Sequence, residues 1–421
     1  MPSDALSVPS GDSAAYTPSH PPVPSFPPSS WHQDDPRHDR AAGAWVGAGA
    51  AGCLVGAPAA LVTELVDASA ADAAAAGPGP AAGAATDSGA ARLAGLIRAA
   101  ITRLDAPADL GTALADPRDR AFARAVREAC AQGRPPSPDS AAPVPGDPRG
   151  AALRAVAETP VPDLDLRAAA FPCRHFVDAV WRAAALGGDV AALYAGALAG
   201  ARWGASGVPL EAQRRLADIV APHDLVVRGV VMARGSDPAL WPENSGYQTG
   251  ESKSIYLPFH TPHPHDPGVI LGNLTYLRSR PDVDAVVTLN RIGPGDAHTG
   301  LPARDRVEVW LADHPGANPN LPFVLEEAAA AVAALRAEGK RVLLHCAAGQ
   351  SRTPAVAALY AVRGRGADVR EALPRVIRAV EGHLNNPELS ATVAALCGVH
   401  LDDVAAELFP EGLPPRRHHR A

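Results

Sequence analysis

The sequence predicts two folded units of different class, an all-α unit followed by an α/β unit whose central sheet is flanked by helices. Three observations carry this. The chain has 421 residues, enough for two ordinary cores. Helical patterning recurs between residues 40 and 219, with no confident strand before residue 225. After Pro222, short apolar or β-branched runs alternate with helical segments. The expected organisation is a disordered tail at 1–38, a helical domain at 39–222, an α/β domain at 223–405 and a flexible tail at 406–421.

Each element follows from local pattern. Residues 1–38 are rich in Pro, Ser, His and Asp and lack apolar periodicity. Helices are expected at 41–66, 90–103, 117–131, 151–158, 173–186, 190–203 and 210–219. The Pro-, Ser- and Gly-rich segment 133–150 reads as a loop. Strands are expected at 225–232, 284–289, 307–311 and 342–345, alternating with helices at 273–278, 322–338, 352–362, 369–380 and 387–397.

Composition excludes several classes. Apolar residues make up 47% and charged residues 20%, which is globular usage. A net charge of -7 argues against nucleic acid, which demands a basic face. The basic cluster at 416–420 is short and reads as a solvated end. Five widely spaced cysteines, an odd number without a CxxC pair, point away from a disulfide framework or zinc site and fit a reducing cytoplasm. The opening residues lack a charged region followed by an apolar core, so no secretory signal is expected. The uncharged stretch 41–63 is long enough to span a bilayer, but it is mostly Ala and Gly with Pro58 inside, so a closely packed buried helix is the better expectation and no membrane partner is expected.

The chemistry concentrates in VLLHCAAGQSRTP, residues 342–354. A strand ends at His345, a tight loop follows and a helix starts near Arg352. Five residues separate Cys346 from Arg352, and a loop of that length can curl round a tetrahedral oxyanion. The backbone N–H groups of Ala347, Ala348, Gly349, Gln350, Ser351 and Arg352 would point inward, and the helix adds its positive end. Gly349 permits backbone geometry closed to other residues. The Arg352 guanidinium can grip two phosphoryl oxygens at once. Together these groups favour the thiolate of Cys346, the form that attacks phosphorus. Asp313, in WLADHPGANPN just after the strand VEVWL, is placed to protonate the departing oxygen and then to activate water. Asp305 is the nearest substitute. Thr353 could hydrogen-bond the sulfur and help it leave, and His345 is expected to fix the loop rather than transfer protons.

HCAAGQSRTP resembles the signature loop of protein-tyrosine and dual-specificity phosphatases. NLTYLRSRPDVDAVVTLNR resembles the helix and strand before the acid loop of that family, and ALPRVIRAVEGHLNNPELSATVAAL resembles its closing helices. The resemblance covers roughly residues 225–400. It implies a cysteinyl-phosphate mechanism without metal or cofactor, acting on a phosphorylated protein. Ala347, Ala348 and Gln350 are neutral, which favours phosphoprotein over a highly charged inositol head group.

The first half resembles a second family. VGAGAAGCLVGAP (46–58), ATDSGAARLAGLI (85–97) and the run 171–209 ending in GALAGARWGASGVP are similar to ADP-ribosylglycohydrolases, which are all-α and usually hold two magnesium ions with carboxylates. The match covers roughly residues 40–220, and its departures matter. Cys53 stands where that family has Asp, the usual TDDT is Thr86-Asp87-Ser88-Gly89, and only Asp189 remains of a further acidic cluster. Hard cations need several oxygen ligands, so this half is expected to be degenerate, a scaffold or a binder of ADP-ribose or a protein. The alternatives are a magnesium-dependent ADP-ribosylglycohydrolase with an appended phosphatase-like module, or a binding protein that captures phosphorylated partners without turnover.

Overall fold

The structure is a computed structural model that describes residues 35–75, 89–104, 106–136, 146–234, 257–292, 298, 300–415 and 417. Its first part is helical: α1 (Pro36–Val55), α2 (Ala59–Ala75), α3 (Gly89–Ile101), α4 (Leu110–Ala113), α5 (Pro117–Gln132), α6 (Pro148–Glu158), α7 (His175–Trp203), α8 (Leu210–Leu216) and α9 (Pro222–Arg234). Most of the expected tail, 1–34, lies outside the described residues, but 36–38 already belong to α1. Asp35 caps that helix by accepting from the Arg37 N–H, and Pro36 sits in the first turn where its missing N–H costs nothing. The single helix expected at 41–66 is two, because Gly56 turns left-handed (φ 74°) and Pro58 follows.

Small residues in α1 and α7 form a packing seam. A Cβ on Gly43 would lie 2.2 Å from the carbonyl oxygen of Gly200, and one on Gly200 would lie 2.0 Å from that of Gly43. Gly47 and Gly196 repeat the relation one turn along. The backbones therefore touch, which only glycine permits at these positions. By length and composition the helical stretch 172–203 could cross a membrane, but most of its apolar window is buried inside the fold and Gly187 and Gly188 break its helical geometry.

The second part holds β1 (His260–His263), β2 (Asp266–Asn273), α10 (Leu274–Arg278), β3 (Ala285–Thr288), β4 (Arg306–Glu308), α11 (Leu321–Ala337), β5 (Val342–Cys346), α12 (Arg352–Arg365), α13 (Val369–Ala379), α14 (Pro387–Leu396) and α15 (Val404–Leu408). The strand order is β1-β2-β5-β3-β4, with β1 antiparallel to β2 and the remaining pairs parallel. Every residue of the central β5 is buried. Parallel strands end at one edge of the sheet, so the segments after β3, β4 and β5 gather there.

Three expectations need correction. Residues 225–232, expected as a strand, form most of α9. Their β-branched composition is overridden by tertiary packing. Leu225, Val226, Gly229, Val230 and Ala233 make one buried helical face, and Gly229 lies against the backbone of Ala41 and Ala42. The helical core consequently runs past the expected boundary at 222. The strand expected at 307–311 shrinks to Arg306–Glu308. The antiparallel β1–β2 pair has no counterpart among the expected strands; Pro262, Pro267 and Gly268 are residues that a sheet tolerates at an edge or a bulge.

The two cores interlock. Phe171, Cys173 and Leu210, from the helical part, pack into the apolar cluster of the sheet part, and Trp203 touches both clusters.

Candidate active site

Cys346 is the last residue of β5 and is buried. The strand register sets it opposite Asn273 of β2, while its neighbour His345 pairs with Thr288 of β3. The chain then turns at Gly349, whose φ of +77° suits glycine, and a Cβ there would lie 2.8 Å from the Gly272 carbonyl oxygen. This turn aims the Gly349 N–H at the Cys346 sulfur, 3.2 Å away. The Ala347 carbonyl accepts from the Leu274 N–H (3.2 Å), tying the loop to the start of α10.

Arg352, the first residue of α12, is buried. Its Nη1 donates to the Leu311 carbonyl at 2.9 Å, and its Nε lies 3.6 Å from Asp313 Oδ2. Ser351 Oγ donates to Asp313 Oδ1 at 2.7 Å. The segment after β4 thus brings Asp313 onto the start of α12. Asp305 lies elsewhere, paired with Lys340 at 2.5 Å.

His345 is fully buried, and burial pulls its pKa down to about 4, so it is neutral at pH 7. Its Nδ1 faces the Cys346 carbonyl at 3.4 Å and its Nε2 lies 2.8 Å from Thr288 Oγ1. Because a carbonyl can only accept, Nδ1 carries the proton and Nε2 accepts from the threonine hydroxyl. The Gln350 amide donates to the Glu381 carbonyl at 2.9 Å. Thr353 departs from expectation. Its hydroxyl is buried and bonds neither the sulfur nor any other group among the described residues. The position after Arg352 puts it in the first turn of α12, packed among buried neighbours.

Residues 283–393 match the family model described as the dual specificity phosphatase catalytic domain. The chain carries a dual-specificity phosphatase catalytic domain. It is an enzyme of the protein-tyrosine and dual-specificity phosphatase kind. Two solved structures are similar to this domain, each 24% identical with a TM-score of 0.26. Tk-PTP in its active form is covered over 90% of its length by 30% of this chain. Human DUSP28 is covered over 95% of its length by 32% of this chain. No curated protein matches the chain.

Within the phosphatase domain, further residues absent from the sequence reading hold the Asp313 segment. Asn318 crosses the segment's neck, its Oδ1 accepting from the Ala312 N–H (2.7 Å) and its Nδ2 donating to the Ala312 carbonyl (2.9 Å). The Gly316 N–H donates to Glu388 of α14 at 2.9 Å. Asn320 reaches into the helical part, donating to the Trp203 carbonyl (2.7 Å) and to Ser206 Oγ (2.9 Å). Ser206 in turn donates its N–H to Asp39 of α1 at 2.9 Å and its hydroxyl to the other Asp39 oxygen. Burial pushes the Asp39 carboxyl up to about 6, with the Ser206 bonds acting the other way. These partners lie 114 to 167 residues apart in the chain, so no local pattern announces them.

Proposed function

We propose that the domain hydrolyses phosphomonoesters on protein side chains through a cysteinyl-phosphate at Cys346. One observation carries the reading: a buried sulfur at the C-terminal end of the central strand receives an inward N–H, and Arg352 at the start of the following helix is paired with Asp313. The sulfur attacks phosphorus and forms an S–P bond while the P–O ester bond breaks. Asp313, entering as the acid, gives its proton to the departing oxygen. Water then attacks the phosphoryl group, Asp313 takes its proton, and the S–P bond breaks to release phosphate. Loop N–H groups and Arg352 stabilise the charge on the phosphoryl oxygens throughout.

The Asp313 carboxylate lies beside Arg352. A phosphoryl dianion carries more charge and suits a guanidinium fork, so it would take that place and leave Asp313 facing the ester oxygen. His345 serves the loop through Thr288 and the Cys346 carbonyl. The test is turnover of an aryl phosphate by the full chain against Cys346→Ser. Hydrolysis surviving in the serine variant would remove Cys346 from the mechanism. Phosphopeptide binding without product release would favour a capture module instead.

The helical part is read as support for the acid segment, on the strength of the Asn320–Ser206–Asp39 chain. The magnesium-dependent alternative gains nothing from the residues. Asp87 lies outside the described residues, Asp189 sits beside the break in α7, and among the described residues no three His, Cys, Asp or Glu side chains come together as a metal site. The described residues do not fit a pair of magnesium ions, and no step is assigned to one.

A further inference from the structure

The described residues of the C-terminal segment, expected as a flexible end, lie back against the phosphatase domain through Pro414 and Arg417. His383 Nδ1 donates to the Pro414 carbonyl at 2.8 Å, and the Arg417 N–H donates to the Glu381 carbonyl at 3.3 Å. The Arg417 guanidinium lies 3.5 Å from the centre of the Phe259 ring. Its Nη1 donates to the Val380 carbonyl at 3.2 Å and its Nη2 to the Ala348 carbonyl at 2.6 Å. Burial draws its pKa down, while Glu381 and Cys346 act in the opposite direction.

The Ala348–Gly349 peptide gives this contact a chemical role. A trans peptide unit is planar, with its C=O and N–H pointing opposite ways. Here the carbonyl end meets Arg417 and the N–H end meets the Cys346 sulfur, 3.2 Å away. A cation on the carbonyl oxygen polarises the unit and strengthens its N–H as a donor. It also resists rotation of the peptide, which would turn that N–H out of the cradle. We propose that Arg417 is a positioning residue for the nucleophile, gripping the outer face of the phosphate loop so that the Gly349 N–H stays aimed at the sulfur and, during the reaction, at the phosphoryl oxygens. The assignment rests on Cys346 being the nucleophile. Arg417 itself need touch no substrate.

The experiment uses the full chain as wild type, Arg417→Ala, Arg417→Lys and Cys346→Ser. The readouts are kcat/KM on an aryl phosphate, inhibition by orthovanadate, the iodoacetamide alkylation rate of Cys346 followed by peptide mass at pH 7, and the melting temperature. Arg417→Ala is expected to lose about tenfold in kcat/KM, vanadate affinity and alkylation rate, as for one charge-assisted hydrogen bond, with the melt unchanged. Arg417→Lys should recover part of each, since an ammonium reaches one carbonyl but lacks the fork. Values within twofold of wild type for Arg417→Ala overturn the proposal. Should that variant fail to fold, Arg417→Lys decides: a severalfold slower alkylation at an unchanged melt supports the role, and a wild-type rate overturns it. Activity persisting in Cys346→Ser would instead overturn the nucleophile assignment, which the Arg417 comparison alone does not touch.

Discussion

Replacing Gly349 by alanine attacks the phosphate loop for two independent reasons. The backbone there is left-handed, φ +77°, which costs a residue with a β-carbon about 1–2 kcal/mol. The added carbon would also sit 2.8 Å from the Gly272 carbonyl oxygen, closer than such atoms approach. That oxygen belongs to β2, which is paired with the central β5 and cannot retreat cheaply. Overpacking of this kind costs about 1–3 kcal/mol. The sum is about 2–5 kcal/mol against the native loop. A loop can escape that cost by changing its own conformation, so the penalty should emerge as lost activity more than as unfolding. A loss of 2 kcal/mol corresponds to about thirtyfold in rate, and the upper end to more than a thousandfold. The assay is kcat/KM on an aryl phosphate, with the melting temperature and Cys346 alkylation as companions. Activity within threefold of wild type would show that the cradle does not depend on this turn, and the reasoning would fail.

Asp313→Asn should lower kcat by about a hundredfold or more, the usual worth of a general acid. It should also tighten orthovanadate binding, because a carboxylate no longer competes for Arg352; weaker binding would contradict the displacement described above. Thr288→Val deprives the buried His345 Nε2 of its donor and should cost about 1–3 kcal/mol in chemical denaturation, with Thr288→Ser restoring it. Asp39 has a folded pKa of about 6, above its ordinary 3.8, so the protonated form is favoured on folding. The stability it contributes is fully present below about pH 4 and is lost as pH rises through 6, a change of about 3 kcal/mol for this buried group. Asp39→Asn cannot titrate, so its stability relative to wild type should improve by about that amount between pH 4 and pH 7, read from melts at the two ends. A difference that stays constant with pH would refute the assignment.

What could be read in advance was what contiguous residues control. Cys346, Gly349 and Arg352 lie in one strand–loop–helix stretch, and a loop of fixed length between two regular elements has little freedom in where its ends point. Asp313 could be anticipated for a similar reason, since it follows a short strand of the same parallel sheet. Residues 225–232 failed because β-branched composition is a weak preference beside a buried helical face. The β1–β2 pair was missed because prolines and a glycine obscure an edge strand. The orientation of Thr353 was not readable, because a residue's place next to an arginine says nothing about which way its hydroxyl turns inside a packed helix.

The order of residues alone was enough to put a thiol at the end of one buried strand and an arginine at the start of the next helix, because backbone connectivity over a dozen residues sets that geometry. What holds this loop and the Asp313 segment in place came from the packing of distant parts of the chain. Arg417 on the Ala348 carbonyl and Asn320 on Ser206 are hydrogen bonds between segments distant in the chain. Such contacts are made by the packing of the two cores and leave no periodic or local trace in the residues that form them.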